Sequence, residues 1–267
     1  MSASWKIYAL KYADHTDRQR NESFIFDDNH SAPLQLDYFI WLLKNGDRSI
    51  LVDTGFDTRE SKVRGRKLQE EPYQLLKRFG VSPETIDTVI ITHLHYDHAG
   101  SLPDFKHATF HLQELEMSYA TGPCMCHDAL RKPYTGDHVC AMVKQLFSGR
   151  LQFHSGSGEI APGIEVHLIG GHSRGLQCVR VLTDRGWVVL ASDASHYYEN
   201  FLAKQPFPIV VDMQNMLDGF DTVQNLAESV DHVIPGHDPL VRQYYPAVFD
   251  NDSTIIRLDV APKTSVS

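Results

Sequence analysis

Three histidines and an aspartate lie within six residues of the segment THLHYDHAG, which spans positions 92–100. Side chains alternate faces in extended backbone, so His93 and His95 point to the same side and can share one ion. Asp97 and His98 follow where the chain turns, and they can reach a second ion nearby. Imidazoles and carboxylates are typical zinc ligands. The cluster therefore predicts a metal site.

The remaining ligands must come from distant segments, because a zinc ion takes about four ligands. His172 and His237 each follow a glycine at the end of a predicted apolar strand, and Asp193 follows a further strand of this kind. Ligands at strand ends are held on a rigid scaffold and can converge on a common cleft. The carboxylate of Asp193 can bridge two ions.

Short predicted strands and two predicted helices position these ligands. Asn-Gly-Asp at 45–47 and Asp-Arg-Gly at 184–186 predict two hairpin turns. Segment 113–150 is predicted to be partly helical and partly irregular, and to form a lid or a pocket wall. The predicted helices cover 61–79 and 211–230, and the predicted strands cover 5–12, 34–43, 49–52, 88–91, 108–112, 164–169, 176–182, 187–190 and 232–234.

Composition limits the class of protein and its partners. The 267 residues are 42% hydrophobic, which suffices for one sizeable core, and we expect a single domain at 1–250 with a polar tail at 251–267. With 34 acidic against 25 basic residues, the net charge of −9 argues against binding nucleic acid. No apolar run approaches the roughly 20 residues of a membrane span.

The expected location is the cytoplasm. The N-terminus shows no apolar segment of a signal peptide, and the four cysteines do not form a dense disulfide framework. The expected partner is a small-molecule substrate, with neither nucleic acid nor membrane involved, and the sequence carries no signal for an oligomeric state.

The site motifs resemble those of the metallo-β-lactamase superfamily over roughly residues 35–240. Within it, the stretches HLHYDHAG, GGHSRGLQ, SDAS and PGHD resemble the N-acyl-homoserine lactonase group. The resemblance implies an α/β fold class, a four-layer αββα sandwich in a single domain, and two zinc ions per chain. The motif residues are, in chain order, Asp53-Thr54-Gly55, His93-x-His95-x-Asp97-His98, Gly171-His172, Asp193 and Gly236-His237.

The resemblance also implies a role for each site residue. Asp53 would orient one of the ligand histidines, and Asp97 or Asp193 would handle the proton in catalysis. The implied metal ligands are His93, His95 and His172 for one ion, Asp97, His98 and His237 for the other, and Asp193 bridging the two.

The implied activity is a metal-dependent hydrolysis that opens a lactone by attack of a metal-bridging hydroxide. The substrate would be an N-acyl-homoserine lactone or another small lactone. Two alternatives stay open. One is hydrolysis of a thioester or a cyclic amide at the same dinuclear site, and the other is a mononuclear iron oxygenase on the same fold, which metal content and an oxygen requirement would reveal.

His196 is a further predicted catalytic residue. Lactonases of this group commonly carry tyrosine three residues after the bridging aspartate, where this chain has His196. Its imidazole could donate a hydrogen bond to a substrate carbonyl or a proton to a leaving alkoxide. The alternative is that His196 only packs beside Tyr197 and Tyr198.

Other histidines and the cysteines are expected to stay outside the site. The run Cys124-Met125-Cys126-His127 has no distant partner pair, so we expect it to bind no metal. Four histidines in or near strands are predicted to be structural, namely His107, His111, His154 and His167.

Overall fold

Two β-sheets carry the architecture of residues 4–266, the part of the chain that the computed structural model describes. The strands are β1 (Lys6–His15), β2 (Leu36–Asn45), β3 (Arg48–Val52), β4 (Lys67–Leu68), β5 (Thr88–Ile90), β6 (Thr109–Gln113), β7 (Leu151–His154), β8 (Gly158–Ala161), β9 (Ile164–Leu168), β10 (Gln177–Thr183), β11 (Gly186–Ser192), β12 (Val233–Pro235), β13 (Ala247–Phe249) and β14 (Asp252–Arg257). In the first sheet the strand order is β13-β14-β1-β2-β3-β5-β6-β7, with β4 paired to β1, and in the second it is β12-β11-β10-β9-β8.

The helices cover the outer faces of the two sheets. Helices α2, α3 and α5 pack on the first sheet, whereas α6 and α7 pack on the second. The α-helices are α1 (Thr58–Arg64), α2 (Pro72–Arg78), α3 (Glu114–Ala120), α4 (Asp128–Arg131), α5 (Gly136–Phe147), α6 (Tyr198–Leu202), α7 (Met213–Leu226) and α8 (Leu240–Tyr244).

Strand β2 shows why the sheets stack between helices. Trp41 and Leu43 join the cluster shared with the second sheet, whereas Ile40 and Leu42 join the cluster shared with the helices of the first sheet. Because successive side chains point to opposite faces, a strand that is apolar at every position must be covered on both sides. The four layers follow, and the predicted αββα sandwich is confirmed.

The predicted helix at 61–79 is wrong. Helix α1 ends at Arg64, because Gly65 adopts a left-handed conformation with φ of 63° and caps it. The short strand β4 then pairs with β1, and α2 begins with Pro72 at its first turn. Two short helices replace one long helix, with Gly65 and Pro72 as the boundary signals.

The segment after residue 250, expected to be a tail, contributes to the first sheet. Strand β14 pairs with β1 in antiparallel register, with Tyr8 opposite Arg257 and Leu10 opposite Ile255. Ile255 is fully buried. Strands β7, β8 and β13 are likewise absent from the sequence prediction, whereas both predicted hairpins form, β2–β3 and β10–β11. Within residues 4–266 no helix has the length and apolar character needed to cross a bilayer.

Candidate metal centre

The predicted site residues meet at one edge of the two sheets. Strands β3 and β5 run parallel, as do β11 and β12, so each pair presents its carboxyl ends at the same edge. Asp53 directly follows β3, and the histidine cluster begins three residues after β5. Asp193 directly follows β11, and His237 lies two residues after β12. Rigid strand ends thus deliver side chains from distant segments to one place.

The first group of ligand atoms belongs to His93, His95, His172 and Asp193. One atom from each lies within 4.8 Å of the others, and all four residues are buried. Nε2 of His172 lies 2.9 Å from Nδ1 of His95 and 3.2 Å from Oδ2 of Asp193. Nε2 of His93 lies 3.8 Å from the same carboxylate oxygen. The predicted pairing of His93 and His95 on one side of the site is therefore present.

The second group consists of Asp97, His98 and His237, again with ligand atoms within 4.8 Å. The carboxylate of Asp193 reaches this group with its other oxygen. Oδ1 of Asp193 lies 3.2 Å from Nε2 of His98 and 3.0 Å from Nε2 of His237. Oδ2 of Asp97 lies 3.6 Å from the same nitrogen of His98. The two oxygens of Asp193 thus face different groups, which is the geometry a bridging ligand needs.

The loop after β12 lies so close to Ser192 and Asp193 that the residue before His237 must be glycine. A Cβ atom at Gly236 would lie 2.7 Å from the carbonyl oxygen of Ser192 and 3.0 Å from Oδ1 of Asp193. Any side chain would therefore separate His237 from Asp193. The Gly-His pair at this strand end is a packing requirement of the site.

Outer hydrogen bonds fix which nitrogen of two histidines faces the site. Nδ1 of His172 donates to the carbonyl oxygen of Ile209 at 2.8 Å, and Nδ1 of His237 donates to that of Asp37 at 2.8 Å. In the neutral imidazole the other nitrogen, Nε2, then carries the lone pair. Such contacts orient metal-binding histidines and raise their basicity.

Asp53 plays the same part for His98. Its Oδ2 lies 2.7 Å from Nδ1 of His98, and its carboxylate also accepts hydrogen bonds from the backbone and side chain of Thr92. Asp53 is fully buried and has a φ of 61°, a conformation that costs a non-glycine residue about 1 kcal/mol or more. The predicted contact between Asp53 and a site histidine is confirmed.

Two buried nitrogens show that the residues present fit metal ions. Within residues 4–266, Nε2 of His93 and Nε2 of His98 are buried and make no hydrogen bond of good geometry, although Oδ1 of Asp193 lies 3.2 Å from the second. An unsatisfied buried polar atom costs about 1–3 kcal/mol, and a divalent cation among these groups would satisfy both. Five imidazoles and two carboxylates form a donor set that suits zinc.

The charges of the histidines differ across the site. Burial lowers the pKa of His93 and His95 well below the usual value, with neighbouring imidazoles adding to the effect, so both are neutral. Burial also opposes the charged form of His98. The carboxylates of Asp193, Asp97 and Asp53 nevertheless raise its pKa well above the usual value. The metal-free protein therefore holds a proton on His98 near neutral pH.

Zinc uptake should release that proton. At pH 7 we expect about one proton or more per chain to leave as the ions enter, because a ligand imidazole must be neutral. The release should shrink as the pH rises through the raised pKa of His98, whereas release from a metal-bound water would grow with pH. Calorimetry in buffers of different ionisation enthalpy measures both. Proton release that is absent at pH 7 would contradict the charge assigned to His98.

His196 faces the site, as predicted. Its Nε2 lies 3.0 Å from Oδ2 of Asp193, and its ring stacks on Phe207 with ring centroids 3.8 Å apart. It also forms a third group of metal-competent residues with Asp193 and His237. Burial lowers the pKa of His196 to about 3, so the ring is neutral and offers an N–H donor rather than an acidic proton.

Glu116 was not predicted as a site residue, although it joins the two histidine loops. This fully buried carboxylate accepts hydrogen bonds from the backbone N–H groups of Leu94 at 2.9 Å and Gly175 at 3.1 Å. It also accepts from the hydroxyls of Tyr134 and Ser173. Leu94 lies between two predicted ligands, so Glu116 holds the cluster against the loop of the third. No spacing in the sequence signals these contacts.

Glu116→Ala should weaken metal binding by about 10- to 100-fold, the usual cost of losing a partner that orients metal ligands. Two buried N–H groups lose their acceptor, and the loops of His93 and His172 lose their connection. The measurement is zinc affinity by competition with a chelating dye. Glu114→Ala is the matched control, because Glu114 lies on the same helix, is exposed and accepts a hydrogen bond from the hydroxyl of Ser155, away from the site. Equal zinc affinities for the two variants would contradict the role.

The other histidines and the cysteines of residues 4–266 belong to none of the metal-competent groups. His111 contacts His154, and His167 contacts Glu165. Across residues 4–266, each group of metal-competent side chains belongs to the site described above, and none includes a cysteine.

A cavity of about 350 Å³ opens over the site. Part of segment 113–150 lines its wall through Ala129, Lys132 and Pro133, which agrees with the predicted pocket-wall role. A smaller cavity of about 200 Å³ shares two histidines with it and is mainly apolar. The site residues in the larger cavity are His95, Asp97, His172, Asp193, His196 and His237.

Known proteins resemble this chain in sequence and in fold. The N-acyl homoserine lactonase of Bacillus cereus is 30% identical over 193 residues, 65% of this chain and 70% of that protein. The N-acyl homoserine lactonase AiiB of Agrobacterium fabrum is 28% identical over 185 residues, 60% of this chain and 64% of its own. The crystal structure of a quorum-quenching N-acyl homoserine lactone lactonase superposes with a TM-score of 0.74 at 25% identity, covering 90% of this chain and 94% of the other.

A family model covers the part of the chain that builds the site. The model of the metallo-beta-lactamase superfamily matches residues 35–240, which include the strand ends and all seven predicted ligands. The four layers and the metal-competent groups at the sheet edge agree with this match. The chain belongs to the metallo-β-lactamase superfamily.

Proposed function

We propose that this protein is a metal-dependent hydrolase that opens a lactone ring at a pair of zinc ions. The main support is the position of the Asp193 carboxylate, whose two oxygens face two separate groups of candidate ligands beside the cavity. The relatives named as N-acyl homoserine lactonases support the choice of a lactone among ester-like substrates.

The proposed ligand assignment follows the two groups. His93, His95 and His172 would hold one ion, Asp97, His98 and His237 would hold the other, and Asp193 would contribute to both. When bound, the ions supply Lewis acidity and lower the pKa of a water molecule from about 15.7 to roughly 7.

The chain's own side chains then orient the substrate and move the proton. His196 lies beside Asp193 in the cavity, and its neutral imidazole has a single N–H. At Nε2 this N–H can turn from Oδ2 of Asp193 to donate to the substrate carbonyl. Asp97 borders the same cavity and can take a proton from water and return it to the ring oxygen. Water adds to the carbonyl carbon and the bond to the ring oxygen breaks. One proton of the water goes to the ring oxygen and the other is released, so that a hydroxyl group and a carboxylate result.

A substrate panel tests the proposal. Zinc-loaded protein should hydrolyse lactones faster than matched thioesters or cyclic amides, because the ring oxygen and the carbonyl oxygen lie on one edge of a small substrate. Hydrolysis of thioesters or cyclic amides in preference to lactones would contradict the proposed substrate class but not the proposed metal site. Oxygen-dependent turnover with iron would contradict hydrolysis as the reaction.

His196→Ala should lower kcat/KM for the best lactone by about tenfold or more, roughly 1.4 kcal/mol. The variant removes the hydrogen-bond donor beside Asp193 without removing an assigned ligand. Zinc content must be measured alongside the rate, since His196 also forms a metal-competent group. Tyr198→Phe is the control, because Tyr198 lies two residues away and does not border the cavity. An unchanged rate for His196→Ala would remove this residue from the mechanism.

A further inference from the structure

Two arginines border the metal cavity without an ion pair to a carboxylate among residues 4–266, although the charge of Asp97 acts on one of them, Arg66, from beyond ion-pair distance. Arg18 and Arg66 lie in its wall together with Asp97 and His196. Both are half-buried, and neither has a carboxylate oxygen within 4.0 Å among the ion pairs of residues 4–266. The overall charge of the chain is −9, so unpaired cations at this position are unexpected.

The hydrogen-bond partners of the Arg66 side chain within residues 4–266 are neutral. Its Nε donates to the hydroxyl of Tyr96 at 3.1 Å, and its Nη1 lies 3.3 Å from Nε2 of His15. Burial, together with Arg66 and Arg18, lowers the pKa of His15 to about 4, so that ring is neutral. The charge of Arg66 is therefore not neutralised by the groups that hold it.

Arg18 is held in the same way. Its Nη2 donates to the carbonyl oxygen of Glu22 at 2.6 Å and to the hydroxyl of Ser23 at 2.9 Å. Its Nε is buried and has no hydrogen-bond partner. The side chain of Glu22 also borders the cavity, but its Oε2 accepts from the backbone N–H of Gln19. The guanidinium of Arg18, a residue that lines the cavity, therefore keeps one unsatisfied nitrogen.

The other cations of the cavity differ from this pair. Arg64 forms an ion pair with Glu60 at 2.5 Å and lies over the ring of Tyr96 at 4.0 Å. Lys132 is exposed at the rim and adds positive charge. Of the carboxylates bordering the cavity, Asp97 and Asp193 are assigned to the metals.

We propose that the substrate of this site carries a carboxylate arm, which Arg18 and Arg66 bind while the lactone ring lies at the metals. This rests on the proposed lactone hydrolysis and adds the class of lactone. A guanidinium presents parallel N–H donors that match a carboxylate, and such charge-assisted bonds are about twice as strong as neutral ones. An uncharged acyl arm would leave the positive charges of Arg18 and Arg66 unpaired in the partly desolvated wall of the cavity.

A matched pair of lactones tests the inference. N-hexanoyl-homoserine lactone and its analogue with the terminal methyl replaced by carboxylate, N-adipoyl-homoserine lactone, have the same number of acyl carbons. With zinc-loaded protein we expect kcat/KM to be about tenfold or more higher for the adipoyl compound. The ratio of the two values should fall towards one in Arg66→Met and in Arg18→Met, and it should fall with added salt. Arg59→Met is the control, because Arg59 is exposed, pairs with Asp137 and does not border this cavity.

Binding of the ring-opened products separates this inference from the proposed function. Calorimetry on the zinc-loaded protein should give N-adipoyl-homoserine about tenfold tighter binding than N-hexanoyl-homoserine, with the difference lost in the two arginine variants. If neither lactone is hydrolysed, the proposed function is contradicted. The affinities for the two products still show whether the site binds a carboxylate arm. Equal affinities, no measurable binding of either product, or a preference that survives in both variants would overturn the inference.

Discussion

Asp193→Ala should abolish lactone opening and strip the protein of metal. One carboxylate oxygen of Asp193 faces His172 at 3.2 Å and the other faces His237 at 3.0 Å. On the proposed assignment, a single truncation would remove a ligand from both ions. The truncation also removes the carboxylate that contributes most to raising the pKa of His98. We expect kcat to fall by about a thousandfold or more, which corresponds to about 4 kcal/mol. Steady-state kinetics and elemental analysis of the same preparation measure both effects.

A distant buried carboxylate supplies the control for Asp193→Ala. Asp259 is buried and forms an ion pair with Arg257 on the first sheet, away from the cavity. Asp259→Ala should lower the unfolding temperature while zinc content and kcat stay near native. If Asp193→Ala kept two zinc ions and near-native turnover, its bridging role would be wrong.

Asp97→Asn should lower turnover far more than it lowers folding stability. The amide keeps the shape and one oxygen for the metal, but it cannot take a proton from water. Loss of a general acid and base costs about 10²- to 10⁴-fold in rate. Asp97 is suited to this role because it borders the cavity and lies 3.8 Å from Nε2 of His237.

Three measurements on the Asp97→Asn variant separate a role in proton transfer from a role in metal binding, namely thermal unfolding, zinc content and kcat. We expect an unfolding temperature within a few degrees of native and partial loss of zinc, with a larger loss of kcat that added zinc does not restore. Full rescue of kcat by zinc would assign Asp97 to metal binding alone. Native kcat with native zinc would remove it from the site.

The core of the site could be predicted from sequence because its chemistry is local. His93 to His98 carry their ligand pattern in six adjacent residues, and a short apolar strand before each distant ligand shows that the residue lies at a sheet edge. The structure brings all seven predicted ligands, and His196 with them, to one edge. Their assignment to particular ions remains a proposal.

The parts that sequence reasoning missed depend on contacts between distant segments. Glu116 meets its donors at Leu94 and Gly175, and neither separation has a period that a sequence pattern could show. Arg18 follows β1 and Arg66 precedes β4, two strands that are distant in sequence and pair in the sheet. The wrong helix at 61–79 has a local cause. Its apolar residues recur at helical spacing, but Gly65 and Pro72 interrupt the helix.

Zinc titration of metal-free protein with lactone hydrolysis as the readout tests the central claim most directly. Zinc bound per chain and the rate on the best lactone should rise together and level off at about two ions, without any need for oxygen. Saturation of activity at one ion, full activity only with iron and oxygen, or two bound zinc ions without cleavage of any lactone would contradict a dinuclear lactone hydrolase.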